Sequence, residues 1–370
     1  MAGSPLLEAT EHQARARVAL TAALGEPSHA YLFRGPRGSG KRAAARSFAA
    51  EILATAAADP EDARRRALLN PSPHPDLVWL APAGAQHMVE EVRERVIRAS
   101  AYRPFEGGKR VFVIEAAEAM RDESQNALLK TLEEPPEFVH LILLSSDAEG
   151  LLETVASRCQ TIEFAPLPAE VLEEELAGER PDAVPDEIVA AARLAAGDLE
   201  RARLLLGDRG RELRAEAERC VGAAVAGECA GAPWKALLDR AQAVGADVEA
   251  ATRETLEEEA KAGVKRSAKD IADAAKRAGR RRRTEILALG FELCAAWLRD
   301  LAAVTSEAEE VVFNRDRLEQ LRAQAGEVDA AVARQGAALV QETRRSLELN
   351  VSEELALEAL FFRLEGLLAG

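Results

Sequence analysis

Val111-Phe112-Val113-Ile114-Glu115-Ala116-Ala117-Glu118, followed by Ser124-Gln125-Asn126-Ala127-Leu128-Leu129-Lys130-Thr131-Leu132-Glu133-Glu134-Pro135-Pro136, is the stretch on which the reading of this chain turns. An apolar run, Val111 to Ile114, that ends in an acid is the pattern of a parallel strand buried on both faces, with a functional residue at its carboxyl end. Open α/β sheets bind their ligands there. Further on, Asp122 is placed to cap a helix with Gln125 three positions later, Leu128, Leu129 and Leu132 share one face, and two prolines stop it. The layout is that of a nucleotide-binding core whose two acid positions are altered.

Upstream, His29 to Phe33 reads as a short strand running into Arg34-Gly35-Pro36-Arg37-Gly38-Ser39-Gly40-Lys41-Arg42 and then a helix. Strand, glycine-rich loop and helix is the context a phosphate loop requires. Gly35, Gly38 and Gly40 let the backbone around Ser39 turn its N–H groups toward phosphate oxygens, and Lys41 would neutralise the outer phosphates. The match to G-x-x-x-x-G-K-[ST] fails at its last place, where Arg42 has no hydroxyl to offer magnesium. In phosphate-loop ATPases the strand-ending acid holds the metal, and in many the next residue is a carboxylate that polarises the attacking water. Here these places hold Glu115 and Ala116, and an alanine cannot act as a base. Glu118 is expected to point elsewhere. ATP hydrolysis by this chain is therefore expected to be weak or absent, and ATP or ADP binding weak or vestigial.

Around these motifs, residues 1–28 read as a helical lead-in with Ala14, Val18, Leu20, Ala22 and Leu24 on its apolar side. Residues 54–75 read as a connector in which Arg64-Arg65-Arg66 is a solvated helix face and His74 a turn residue. Leu77 to Leu80 is a strand, and Met88, Val89, Val92, Val96 and Ile97 place an amphipathic helix over 87–100. Val139 to Leu144 is a further strand, ending in Ser145-Ser146 where a phosphate could be sensed. Ser157-Arg158-Cys159 follows a short helix and precedes the strand Thr161 to Phe164. Arg158 has two readings, a helix-end cation or a guanidinium projecting to a neighbour's phosphate.

Pro166-Leu167-Pro168 marks a boundary, after which short helices over 169–207 carry Arg201, a residue that could face the nucleotide. Long amphipathic helices then take over. Residues 252–283 are charge-rich, with Glu257-Glu258-Glu259, Lys261, Lys265 and Arg280-Arg281-Arg282-Arg283, and read as a solvated helix with i,i+4 pairs. A DNA or partner contact through the four arginines is the other reading. Phe291, Leu293, Trp297, Leu298 and the segment Leu347 to Leu368 can bury a bundle or a subunit interface.

The composition sets the outer limits. At 370 residues, two or three domains are expected, and 48% hydrophobic with 4% aromatic residues points to dominant helix. A net charge of -15 argues against a chain that coats DNA on its own. Cys159, Cys220, Cys229 and Cys294 form no C-x-x-C pair, so reduced thiols and no metal site are expected. With no apolar leader and no run of about 18 apolar residues, a soluble cytoplasmic protein without membrane contact is expected.

His74-Pro75-Asp76, Ala127 to Pro136 and Ser157-Arg158-Cys159, taken in order, resemble the bacterial sliding-clamp loader family of AAA+ proteins, and most closely its delta-prime branch. The resemblance is strong over 29–206 and weaker beyond, where it rests on helical character and on Asn350-Val351 to Leu360. It implies a RecA-like AAA+ core with a parallel sheet over 1–166, a small helical lid over 167–208 and a helical collar over 209–370. It also implies a ring with gamma/tau-like motor subunits and a delta subunit, which opens the sliding clamp and places it on primed DNA as part of the DNA polymerase III holoenzyme. Carried over, Arg158 becomes an arginine finger acting in trans, Ser145 or Ser146 a sensor, and Arg201 a second sensor. The departures at Arg42 and Ala116 favour delta-prime over an ATP-hydrolysing gamma/tau-like motor, which is the alternative together with another AAA+ ATPase. Most relatives carry a four-cysteine zinc module before His-Pro-Asp; residues 54–73 hold no cysteine, so no zinc is expected.

Overall fold

A computed structural model describes residues 4–82, 86–146, 150–261, 267–346 and 352–369. Lys265, Leu347, Asn350 and Val351, and the side chain of Glu259, lie outside the described residues. The chain divides into two compact units, Met1–Leu167 and Pro168–Gly370.

In the first unit, α1 (Pro5–Ala9) and α2 (Ala14–Ala23) precede β1 (Ala30–Arg34), and α3 (Lys41–Ala54) and α4 (Pro60–Leu68) lead to β2 (Leu77–Leu80). Next, α5 (Val89–Val92) runs on as a π-helical stretch over Arg93–Arg98 before β3 (Arg110–Ile114). A 3-10 turn, Ala117–Ala119, and α6 (Asp122–Glu133) connect to β4 (Val139–Ser145), and α7 (Glu153–Ala156) to β5 (Gln160–Glu163). The strands form one parallel sheet in the order β2-β3-β4-β1-β5.

Both faces of that sheet are covered. Tyr31, Phe33, Val111 and Val113 pack with Leu20, Phe48 and Ile52 on one side, while Leu32, Phe112 and Ile114 pack with Val92, Val96, Leu128 and Leu132 on the other. β3 and β4 are consequently buried from end to end, which is why they read as unbroken apolar runs rather than alternating ones. Each such side chain contributes roughly 1.5–3 kcal/mol relative to exposure. The register sets Arg34 opposite Ser145 and Ile114 opposite Leu143. The carboxyl ends of β1, β3 and β4 therefore share one edge, and the glycine-rich loop after β1, Glu115 and Ser145-Ser146 meet there.

The second unit is helical throughout its described residues: α8 (Ala169–Glu179), α9 (Pro185–Leu194), α10 (Leu199–Leu206), α11 (Asp208–Ala226), α12 (Lys235–Lys261), α13 (Ala268–Thr305), α14 (Leu318–Ala325), α15 (Ala330–Ser346) and α16 (Glu353–Leu368). Asp198 caps α10 by accepting from the Arg201 N–H, and Ser267 with Asp270 forms a capping box at α13. Phe291, Leu293, Trp297 and Leu298 are buried, and Trp234 stacks on Phe361 at 5.9 Å. The fold class is the expected one, an α/β core with a parallel sheet followed by an all-α part.

Local expectations differ in four places. Asp122 is the first residue of α6 rather than its cap, because the extended backbone at Arg121 makes that residue the N-cap. The Gln125 amide instead donates to the Met120 and Gly150 carbonyls and accepts from the Leu152 N–H, tying α6 to the approach to α7. Val18 is 71% exposed, so Ala16, Leu20 and Ala23 form the buried side of α2. Arg64 and Arg66 are not simply solvated: they pair with Glu51 at 2.9 Å, and with Asp62 at 2.7 Å and Glu106 at 2.5 Å, fastening α4 to α3 and to the turn before β3.

Candidate nucleotide site and exposed arginine

The loop between β1 and α3 has the geometry of a phosphate cradle. Gly40, the N-cap of α3, adopts φ +83°, and Gly38 adopts φ +70°, conformations that a side chain disfavours. Gly35 is constrained by proximity: a Cβ there would lie 2.2 Å from the Phe164 carbonyl oxygen. The first N–H groups of α3 have no intrahelical acceptor and carry the positive end of the helix dipole. Gln13 holds the loop from outside, its side-chain amide donating to the Ser39 and Ala165 carbonyls and its oxygen accepting from the Ala165 N–H. Ser39 is fully buried.

Lys41 is 7% exposed, and its ammonium donates to the Gly35 and Pro36 carbonyls, both at 2.8 Å, and to Ser146 Oγ at 2.9 Å. Of the two serines ending β4, then, Ser146 is the one whose hydroxyl reaches the lysine, while the Ser145 carbonyl accepts from the Gly35 N–H. Glu118 does not point away as expected. Ala116 takes a left-handed conformation, φ 48°, and the turn that follows is 3-10 rather than α-helical. Together they swing the Glu118 carboxylate back so that it accepts from the Ser146 N–H at 3.2 Å.

The altered positions meet each other. Arg42 Nε lies 2.6 Å from Glu115 Oε1, and the Trp79 indole N–H donates to the same carboxylate oxygen. Arg46 stacks over the Trp79 ring at 4.2 Å, with Arg42 at 6.0 Å. Burial and then the Arg42 charge push the Arg46 guanidinium below its usual value, with Glu115 opposing. The donor set thus fits a phosphate chain and does not fit magnesium: where a hydroxyl and an acid would face the ion, a guanidinium and a carboxylate form an ion pair. Trp79, Arg46 and Gln13 carried no legible signal; their partners are distant in sequence and no motif fixes them.

Arg158 follows α7 and precedes the edge strand β5. Its guanidinium is 36% exposed and bridges the Thr154 carbonyl at 2.8 Å and Glu133 at 2.6 Å. Glu133 comes from the end of α6, inside the Leu-Glu-Glu-Pro-Pro run. Burial pushes the neighbouring Cys159 thiol up to about 12, so it is not a reactive thiolate. Arg201 belongs to the second unit, where it pairs with Glu292 and helps line a cavity of about 590 Å³ with Arg193, Arg299, Phe313 and Arg334. No group of three or more His, Cys, Asp or Glu among the described residues could hold a metal.

Comparison with known proteins finds DNA polymerase III subunits among the similar chains. A family model described as DNA polymerase III, delta subunit, matches residues 11–168. The chain is 36% identical to the DNA polymerase III subunit delta' of Pseudomonas aeruginosa over 198 residues, covering 51% of this chain and 59% of that one. It is 33% identical to the delta' subunit of Bacillus subtilis over 154 residues, covering 40% and 46%. It is also 34% identical to the DNA polymerase III subunit tau of Escherichia coli over 159 residues, covering 41% and 24%. The alignments span about half the length of the two delta' relatives. Residues 11–168 match the delta subunit family model, and about half of the chain is similar to DNA polymerase III delta' subunits.

Proposed function

We propose that this chain is a delta-prime-like subunit of the DNA polymerase III clamp loader. In this reading it is a stator that donates Arg158 to the ATP site of a neighbouring gamma/tau-like motor subunit while the sliding clamp is loaded onto primed DNA. The observation that carries it is the ion pair of Arg42 and Glu115, 2.6 Å apart at the place a metal would take in the chain's own loop, beside an Ala116 that cannot act as base. A chain that does not turn over its own nucleotide can still complete a neighbour's site. A guanidinium on the transferring phosphoryl group contributes about 10³-fold or more in comparable systems.

Within this reading, the lid comprises 167–208 and the collar 209–370, Ser146 acts as the sensor on Lys41, Arg201 is a second sensor, and the loop holds ATP or ADP weakly. Delta is a further partner, the clamp and DNA are engaged through the assembled ring, and the site of action is the cytoplasm. A motor role is the second reading, favoured by the identity with tau and by the retained Lys41. ATPase measurements on the chain alone, and mixed with the other loader subunits, clamp and primed DNA, separate the two. No turnover alone, and a rate in the mixture that collapses with Arg158→Ala, is the expected result. Turnover by the chain alone, lost in Lys41→Ala, would establish the motor.

A further inference from the structure

We infer that the phosphate loop takes a nucleoside polyphosphate without a divalent cation, with Arg42 as a built-in replacement for the metal. This rests on the reading of the loop as a nucleotide site and specifies how that site is charged.

In a metal-using loop, a neutral hydroxyl and an acid carry one negative charge between them, and the ion supplies two positive charges across the gap. In this chain the same two places carry Arg42 and Glu115, which sum to zero and are paired at 2.6 Å. There is neither a gap for an ion nor a field to draw one. Glu115 is further occupied by the Trp79 indole on the same oxygen. Arg42, by contrast, is held only by that ion pair; its side chain is 59% exposed, and its N–H groups make no hydrogen bond among the described residues. A guanidinium with unspent paired donors at the mouth of a glycine cradle is suited to phosphate oxygens. The surrounding charge agrees: Lys41, Arg42 and Arg46 crowd this end of the sheet, and Arg46 is lowered from its usual value by burial first and by the Arg42 charge second, with Glu115 opposing. An anion relieves that crowding, and a cation would add to it.

The test is titration of the full-length chain with ATP, in excess magnesium chloride and in excess EDTA, read by calorimetry and by the emission of Trp79. Trp79 is the sole tryptophan of residues 1–167, and its indole touches Glu115. The dissociation constants should agree within about twofold in the two buffers. Arg42→Thr restores a hydroxyl beside a freed Glu115, and its binding should weaken about tenfold or more in EDTA relative to magnesium. Lys41→Met should lose binding in both buffers; binding retained there would place the nucleotide elsewhere and overturn the inference. A wild-type affinity that drops about tenfold in EDTA would overturn it, as would an Arg42→Thr that stays indifferent to metal. The wild-type comparison requires no variant to fold. Absence of saturable binding in either buffer also overturns it, while leaving the Arg158 donor role to stand or fall on the ring's ATPase.

Discussion

Arg158 is held by two acceptors on different elements, the Thr154 carbonyl of α7 and the Glu133 carboxylate at the end of α6. An exposed pair of this kind contributes about 1 kcal/mol or less, so it can set the direction of the side chain and still release it to a stronger anion. Arg158→Ala should accordingly leave the melting temperature within a degree or two of wild type, about the shift that a fraction of a kcal/mol gives, while removing the stimulated ATPase of the ring. Arg158→Lys should remain defective, because a single ammonium cannot bridge two oxygens of a phosphoryl group. If Arg158 acts as proposed, Glu133, its ion-pair partner, would act as a positioning residue. Glu133→Gln should preserve assembly and lower ring turnover by about three- to tenfold, less than Arg158→Ala, through loss of orientation alone. An ATPase rate equal to wild type would remove that role from Glu133.

At the scale of elements, the loop between β1 and α3 is fixed by packing at one end and backbone conformation at the other. Gly35→Ala drives a Cβ to 2.2 Å from the Phe164 carbonyl oxygen, a backbone atom that cannot rotate away. The cost should be about 1–3 kcal/mol, read by denaturant unfolding, and a neutral result would mean that β5 yields. Acid should loosen the same unit. Burial holds the His140 imidazole below its ordinary value, with Lys109 and His29 reinforcing and the Ser28 carbonyl opposing; burial likewise lowers His74, with Arg66 reinforcing. His140 Nδ1 donates to the Ser28 carbonyl, and Nε2 is buried without a partner among the described residues. Both rings are favoured neutral in the fold, whereas the unfolded chain protonates them near pH of about 6.5. The unfolded state therefore gains protons as pH falls through that value, and stability present above it is lost below. Melting temperatures at about pH 7.5 and about pH 5.5 should differ, and His140→Gln should reduce the difference. β2, β3 and β4 were legible because each is an apolar run with a defined stop, and the glycine-rich turn from β1 into α3 because its spacing is dictated by geometry. The Arg42–Glu115–Trp79 cluster and the return of Glu118 to Ser146 were not. They arise where β2, β3 and α3 converge and where a left-handed alanine replaces a helical turn, neither of which leaves a local pattern.

For the molecule as a whole, charge decides what the chain can do alone. It carries 48 Lys and Arg against 63 Asp and Glu. The most concentrated basic run, Arg280 to Arg283, is largely spent internally: Arg281 and Arg282 lie 3.1 and 3.3 Å from Glu285, and Arg283 pairs with Glu353. The 252–283 block is not the one solvated helix expected: it ends α12 and begins α13, where Ile271, Ala275 and Gly279 are buried, and phosphate contacts by Arg281, Arg282 or Arg283 would first have to displace a carboxylate already in place. Counterion release rewards cations that are unpaired before binding. The full chain alone should give no saturable anisotropy change with a primed duplex at physiological ionic strength, and lowering the salt should recover only weak, length-dependent binding. Reversing Arg280 and Arg281 to glutamate should leave that result unchanged and cost some thermal stability through Glu285. Tight binding by the isolated chain, abolished by the reversal, would assign the run to DNA and require Arg281 and Arg282 to exchange Glu285 for phosphate.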